Sequence, residues 1–227
     1  MKKIVCLFSF MAIMLMTISC YNPLQSKEIE TTKPSAEIGS FNSISMMAAC
    51  DISVGIGDFS DLKIKGDSVL VENLIIENHN GCLVIKEKKG TVIHNGSVNI
   101  ELSCPSLQTI EMKGAGSVNI NGENKSDTVS IEMDGAGSIN AERIISNKLT
   151  TNANGTGSIK LDNVTADDIS LNMNGVGSMN ATFTSSGKVD CSINGVGSVN
   201  LKGHVKSIHK KTNGVGQINT NELEVDE

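Results

Sequence analysis

Glu111 and Glu132 each stand three residues before a Gly-x-Gly motif, and Asp134 follows closely behind the second of them. Carboxylates brought together across neighbouring strands are the hard oxygen donors that calcium takes. The next motifs carry Asn152, Asn172 and Ser192 at that position, so the acidic column stops after two members and reads as solvated glutamates. Proton abstraction from a uronic acid would need a Lys or Arg base set against such a cluster; the chain has one arginine, Arg143, and shows no such pair. No two of His79, His94, His204 and His209 have the i, i+4 spacing of a helical zinc site. The last two sit among Lys206, Lys210 and Lys211 and read as a solvated basic edge. Apart from Cys6 and Cys20, the cysteines are Cys50, Cys82, Cys104 and Cys191, without C-x-x-C spacing, which predicts buried thiols rather than a zinc site or a disulfide framework. No metal, cofactor or catalytic residue is expected.

The Gly-x-Gly motif itself could suggest a phosphate loop, but the third glycine is missing at the required spacing and no helix follows. It recurs six times, which makes it architecture. The first glycines are Gly114, Gly135, Gly155, Gly175, Gly195 and Gly214, at intervals of 21, 20, 20, 20 and 19 residues, and their partners are Gly116, Gly137, Gly157, Gly177, Gly197 and Gly216. A period near twenty is a solenoid signature. Apolar residues alternate with period two before each pair, as in Val129, Ile131 and Met133 or Ile169, Leu171 and Met173, so these stretches are strands. A second short strand follows each pair, with Val118, Ile139, Ile159, Met179, Val199 and Ile218 in one column. Strand, glycine corner, strand and a looser return segment make one coil of a β-helix, with coils about 4.8 Å apart. Met112, Met133, Met173, Met179 and Cys191 fall at inward positions and read as core.

Stacking such coils would align Ser117, Ser138, Ser158, Ser178, Ser198 and Gln217 in one outward column. Asn119, Asn140, Lys160, Asn180, Asn200 and Asn219 would form another, whose amides can bond up and down the stack. These twelve positions are the candidate binding face. Residues 37–105 contain alternating strands without the even glycine corner and are expected to supply atypical, capping coils; residues 106–220 are the regular ones. Four acids in "NELEVDE" are expected to discourage end-to-end stacking.

Ahead of this domain, 37–227, "MKK" precedes an uncharged run from Ile4 to Ile18, the pattern of a secretory signal peptide over residues 1–19. As a helix that run would reach only about 22 Å, short of a bilayer core. "TISC" resembles a bacterial lipobox, with Thr17 where leucine is usual, and marks Cys20 for acylation. Residues 20–36, with two prolines and no periodicity, read as a tether from the lipid. Loss of Lys2 and Lys3 on cleavage would move the formal charge from −6 to −8, which repels nucleic acid. Aromatic content of 3% and the absence of Trp argue against base stacking as well.

The repeats and their approach resemble the auto-transporter adhesin, head GIN domain family, in "GSIN" and "GQIN", in "FNSISMMAACDISVGIGDFSDLKIKG" and "GCLVIKEK", and in "VNIELSCPSLQTIEMKGAGSV". The resemblance spans about residues 37–220. It implies an all-β, right-handed parallel β-helix of the pectate-lyase type, without the catalytic residues, and a role in adhesion. The expectation is a non-enzymatic cell-envelope lipoprotein of the outer membrane that binds a glycan or an envelope protein. A polysaccharide-active lyase or hydrolase and a structural or assembly role are the alternatives. "YNPLQ" after Cys20 has no acidic run, which leaves periplasmic and surface-facing positions both open.

Overall fold

Along the coil of residues 136–153 inward and outward residues alternate except at two places where consecutive residues both face out, Glu142 with Arg143 and again Asn147 with Lys148. A strand that presents two successive residues to solvent has turned a corner, because strict alternation would bury one of them. With the glycine corner, these breaks give the coil three sides: side one before the glycines, side two after them, and side three the return segment. The computed structural model describes residues 27–90 and 96–226. In chain order its first elements are β1 (Glu28–Lys33), α1 (Ser35–Ile38), β2 (Ser43–Met46), β3 (Ala49–Ile56), β4 (Leu62–Asp67), α2 (Ser68–Glu72), β5 (Leu74–His79), β6 (Cys82–Glu87) and β7 (Val98–Cys104). There follow β8 (Thr109–Met112), β9 (Ala115–Lys125), β10 (Thr128–Met133), β11 (Ala136–Ala153), β12 (Thr156–Met173), β13 (Val176–Ile193), β14 (Val196–Thr212) and β15 (Val215–Val225).

From β8 onward every coil pairs in parallel with the next, and the protein is a β-solenoid of twenty-residue turns, a parallel β-helix. The return segment expected to be loose is itself paired strand: β11 runs unbroken through side two, the return and side one of the following coil. Its inward residues, Ile144 and Ser146, are buried, which is why the segment holds a defined course. Like residues stack inside. Ile139, Ile159, Met179 and Val199 form one fully buried column, and Leu149, Ile169 and Val189 another. Each such side chain contributes about 1.5–3 kcal/mol relative to exposure.

The amino-terminal coils stack out of chain order. The β2–β3 coil lies between the β6–β7 coil and the β8–β9 coil, since β2 pairs with β6 and β8 while β3 pairs with β7 and β9. Below β6 and β7, the strands β5 and β4 pair antiparallel, joined by α2. Asp67 caps α2 by accepting hydrogen bonds from the amides of Val69 and Leu70, and Leu70 and Val71 are buried against the end of the core. The chain must then cross back over the β2–β3 coil, and Asn124 clamps that crossing. Its buried amide accepts from the Leu107 N–H at 2.7 Å and donates to the Leu107 carbonyl at 2.9 Å.

The segment expected to be a tether folds in its second half. β1 pairs antiparallel with all of β4, because β4 would otherwise leave an open edge of unpaired backbone. Cys20, the residues ahead of it and His94 lie outside the described residues. Among the described residues no helix is long and apolar enough to cross a membrane.

Candidate functional site

Side two of the stack carries the predicted face. Ser117, Ser138, Ser158, Ser178, Ser198 and Gln217 are paired position by position from β9 to β15. Asn119, Asn140, Lys160, Asn180, Asn200 and Asn219 follow in the same register two residues on. The asparagines bond to one another: Asn140 donates to Asn119 at 2.8 Å and Asn200 to Asn180 at 2.9 Å. Lys160 splits the ladder, turning outward to Asp162 at 2.6 Å. β3 extends both columns by one coil, with Asp51 beside Ser117 and Ser53 beside Asn119. Ser117 donates to Asp51 at 2.6 Å. The sequence did not reveal this extension because β3 follows Met47 and Ala48 rather than a glycine corner.

The corner is where glycine is indispensable. A Cβ on Gly155 would meet the carbonyl oxygen of Gly135 at 2.0 Å, and one on Gly157 would meet that of Gly137 at 1.8 Å. Gly157 also has φ of 146°, which side-chain-bearing residues rarely adopt. Each corner thus stacks backbone on backbone.

Beside the glycines runs a second amide ladder. Asn213 donates to Asn194, Asn194 to Asn174, Asn174 to Asn154 and Asn154 to the Asp134 carboxylate, at 2.8–2.9 Å throughout. These exposed residues immediately precede each first glycine, and their recurrence as "NG" was the signal that could have found them. On the other side of each first glycine, Val176, Val196 and Val215 stand exposed in register. Along the last three coils the edge therefore alternates an amide and a pair of methyl groups.

At the foot of this ladder the oxygens of Glu111, Glu132 and Asp134 lie within 4.8 Å of one another. Lys113 forms an ion pair with Glu111 at 2.5 Å, and Ser45 donates to the same carboxylate at 2.5 Å. Partial burial pushes the Glu111 carboxyl up, but the hydrogen bonds from Lys113 and Ser45 and the lysine charge outweigh it and hold it below its ordinary value. A carboxyl held ionised this way is a poor general acid.

The remaining candidates are scattered. His79 pairs with Glu77, whereas His204 lies between Glu224 and Asp226 near the other end of the molecule. Burial pushes the thiols of Cys50 and Cys191 up to about 12 and that of Cys104 to about 11. Met112, Met133, Met173 and Met179 are all core.

Stacked coils, outer columns bonded to themselves and a backbone-only corner define a repeat β-helix, a scaffold whose surfaces run along its axis. The chain matches the family described as "Putative auto-transporter adhesin, head GIN domain" over residues 40–182 and again over 151–227, and it belongs to that family. Among solved structures it resembles a putative adhesin from Bacteroides fragilis NCTC 9343, with 24% identity, a TM-score of 0.69, and coverage of 85% of this chain and 96% of that one. A putative adhesin from Parabacteroides distasonis ATCC 8503 shares 13% identity with a TM-score of 0.54, covering 86% and 97% of the two chains. At such identities the likeness concerns the fold. No curated protein matches the chain.

Proposed function

We propose that this protein is a non-enzymatic binding module of the bacterial envelope, anchored through an acylated Cys20, that engages a surface polymer along the side of its coil stack. The reading rests on one observation: side two presents a pair of polar groups on every coil from β9 to β15, Ser and Asn on four of the six, in unbroken register. A rigid array of this kind can repeat one weak contact along a repetitive ligand, and linked weak contacts multiply into useful avidity. Membership of an adhesin family supports the reading.

The test is binding of the purified protein to isolated envelope polysaccharide and to whole cells. Ser158→Arg combined with Ser198→Arg places bulk on the face and is expected to weaken binding at least tenfold. Unaltered binding by that variant rules out side two. Acyl labelling abolished by Cys20→Ser, and digestion of the protein by protease added to intact cells, are the expected outcomes for a surface-facing lipoprotein. Glycan cleavage abolished by Glu111→Ala would instead establish an enzyme.

A further inference from the structure

The amides of side two are largely engaged with one another, but the opposite situation holds where side three turns into side one. There a trough of about 520 Å³ runs across several coils. Its lining includes Lys125, Ile145 and Thr165, which are paired across β9, β11 and β12. Its rim holds Asp127, Asn147 and Asp167, each one residue ahead of the paired positions Thr128, Lys148 and Asp168.

Three features of this trough point to a ligand. First, among the described residues the side chains of Lys125, Asp127, Asn147 and Asp167 have no hydrogen-bond or ion-pair partner. Lys160 and Asp162, and likewise Lys188 and Asp190, lie two apart within one strand and pair, whereas Lys125 ends β9, Asp127 lies in the bend before β10, and these two do not pair. Second, the backbone at the rim is already bonded: the N–H groups of Asn147 and Lys148 both donate to the Asp127 carbonyl, and that of Ser126 donates to Ile145. The site therefore offers no open strand edge to which a peptide could add. It also offers few apolar anchors for peptide side chains, chiefly Ile145 and Ala166. Third, its free groups are of both kinds, with an ammonium and an amide to donate and two carboxylates and an amide to accept. An anionic polymer would face two carboxylates against one ammonium. Hydroxyl groups, which donate and accept at once, match the set.

We propose that this trough is a saccharide subsite that takes a short stretch of neutral, hydroxyl-rich glycan lying along the coil axis. Its volume is in the range of small-ligand sites. The proposal rests on the reading of the protein as a polymer-binding module and adds to side two a second contact of stated chemistry on another part of the stack.

The experiment is titration of the purified protein, by calorimetry and by amide chemical shifts, with cellotriose, maltotriose, mannotriose and N,N′,N″-triacetylchitotriose. A trigalacturonate and an extended peptide of Ser and Asn serve as comparisons. At least one neutral trisaccharide is expected to bind, with shifts centred on residues 125–127, 145–147 and 165–167. Asp127→Ala combined with Asn147→Ala, which removes two solvent-facing side chains without partners, is expected to weaken that binding at least tenfold while circular dichroism and the unfolding midpoint hold. Glu30→Gln, an exposed residue of β1 outside both the trough and side two, is expected to leave it unchanged.

No binding of any neutral trisaccharide at millimolar concentration, binding untouched by the trough variant, or tighter binding of the uronate or the peptide would each overturn the proposal. If the protein still holds envelope polymer in any of those cases, the broader reading survives and the trough alone fails.

Discussion

A methyl group on Gly157 would lie 1.8 Å from the Gly137 carbonyl oxygen, at a φ of 146°, so both space and backbone conformation forbid it. Gly157→Ala is expected to cost more than about 3 kcal/mol in urea unfolding, through steric displacement of the neighbouring coil added to backbone strain. Gly57, with nothing within 4 Å of an added Cβ, is the control, and Gly57→Ala should stay within about 0.5 kcal/mol. The cysteines give a chemical readout of the same packing. Cys50, Cys104 and Cys191 are buried with thiols pushed up to about 12, 11 and 12, whereas Cys82 is only half-buried and its thiol is raised less. Brief treatment with a thiol reagent at neutral pH is expected to modify Cys82 before the other three, and all four after denaturation. Equal rates in the folded protein would contradict the buried assignments. Glu111 adds a pH dependence. Its carboxyl is held below the ordinary 4.5, so its contribution to stability is present above that value and is lost as pH falls through the lowered one. Glu111→Gln should flatten the loss of stability measured below about pH 4.5.

At the scale of the coil, a strand is held by its backbone ladder and by whatever its outward side chains add. Lys160 interrupts an asparagine column that is bonded on both sides of it, and its bridge to Asp162 is solvent-exposed. Such a bridge contributes under about 1 kcal/mol, while each new amide hydrogen bond contributes about 0.5–1.5 kcal/mol. Lys160→Asn, which can bond to Asn140 below and Asn180 above, is therefore expected to raise stability by about 1 kcal/mol. A lowered urea midpoint would show that the columns do not act as continuous ladders. The strands before and after each glycine were legible in residues such as Ile169, Leu171 and Met173, because period-two alternation needs only one buried face. The return segment was not, since two outward residues at each bend hide its alternation. The corner ladder of Asn154, Asn174, Asn194 and Asn213 is legible as the recurring "NG", whereas the bonding of those amides to one another depends on the stack.

Over the whole molecule the two ends are finished differently. The amino-terminal end is closed by antiparallel strands and by Leu70 and Val71 of α2. Among the described residues the carboxy-terminal coil has no such cover. Where the previous coil has Cys191 and Ile193, it places Lys210 and Thr212, and Lys210 reaches Thr220 at 3.0 Å. Polar residues at inward positions make the end of the core wettable, which disfavours addition of another coil stack. Of the acids of "NELEVDE", Glu222 is paired with Lys202, and Glu224 and Asp226 lie beside His204. Lys210→Leu with Thr212→Val and Thr220→Val is expected to produce concentration-dependent association in sedimentation, while the parent protein shows none through this end. A triple variant that does not associate would remove the plug from the account.

The sequence alone determined the coil, its length, its glycine corner and the residues that share a column, because a parallel stack in register repeats the same local requirements every twenty residues. Tertiary structure decided what repetition cannot encode: the out-of-order stacking of β2–β3, the Asn124 clamp, the docking of β1 on β4, and the trough between sides three and one. Each depends on which edge or concavity is left open once the other coils are in place. That is a property of the assembled stack rather than of any segment.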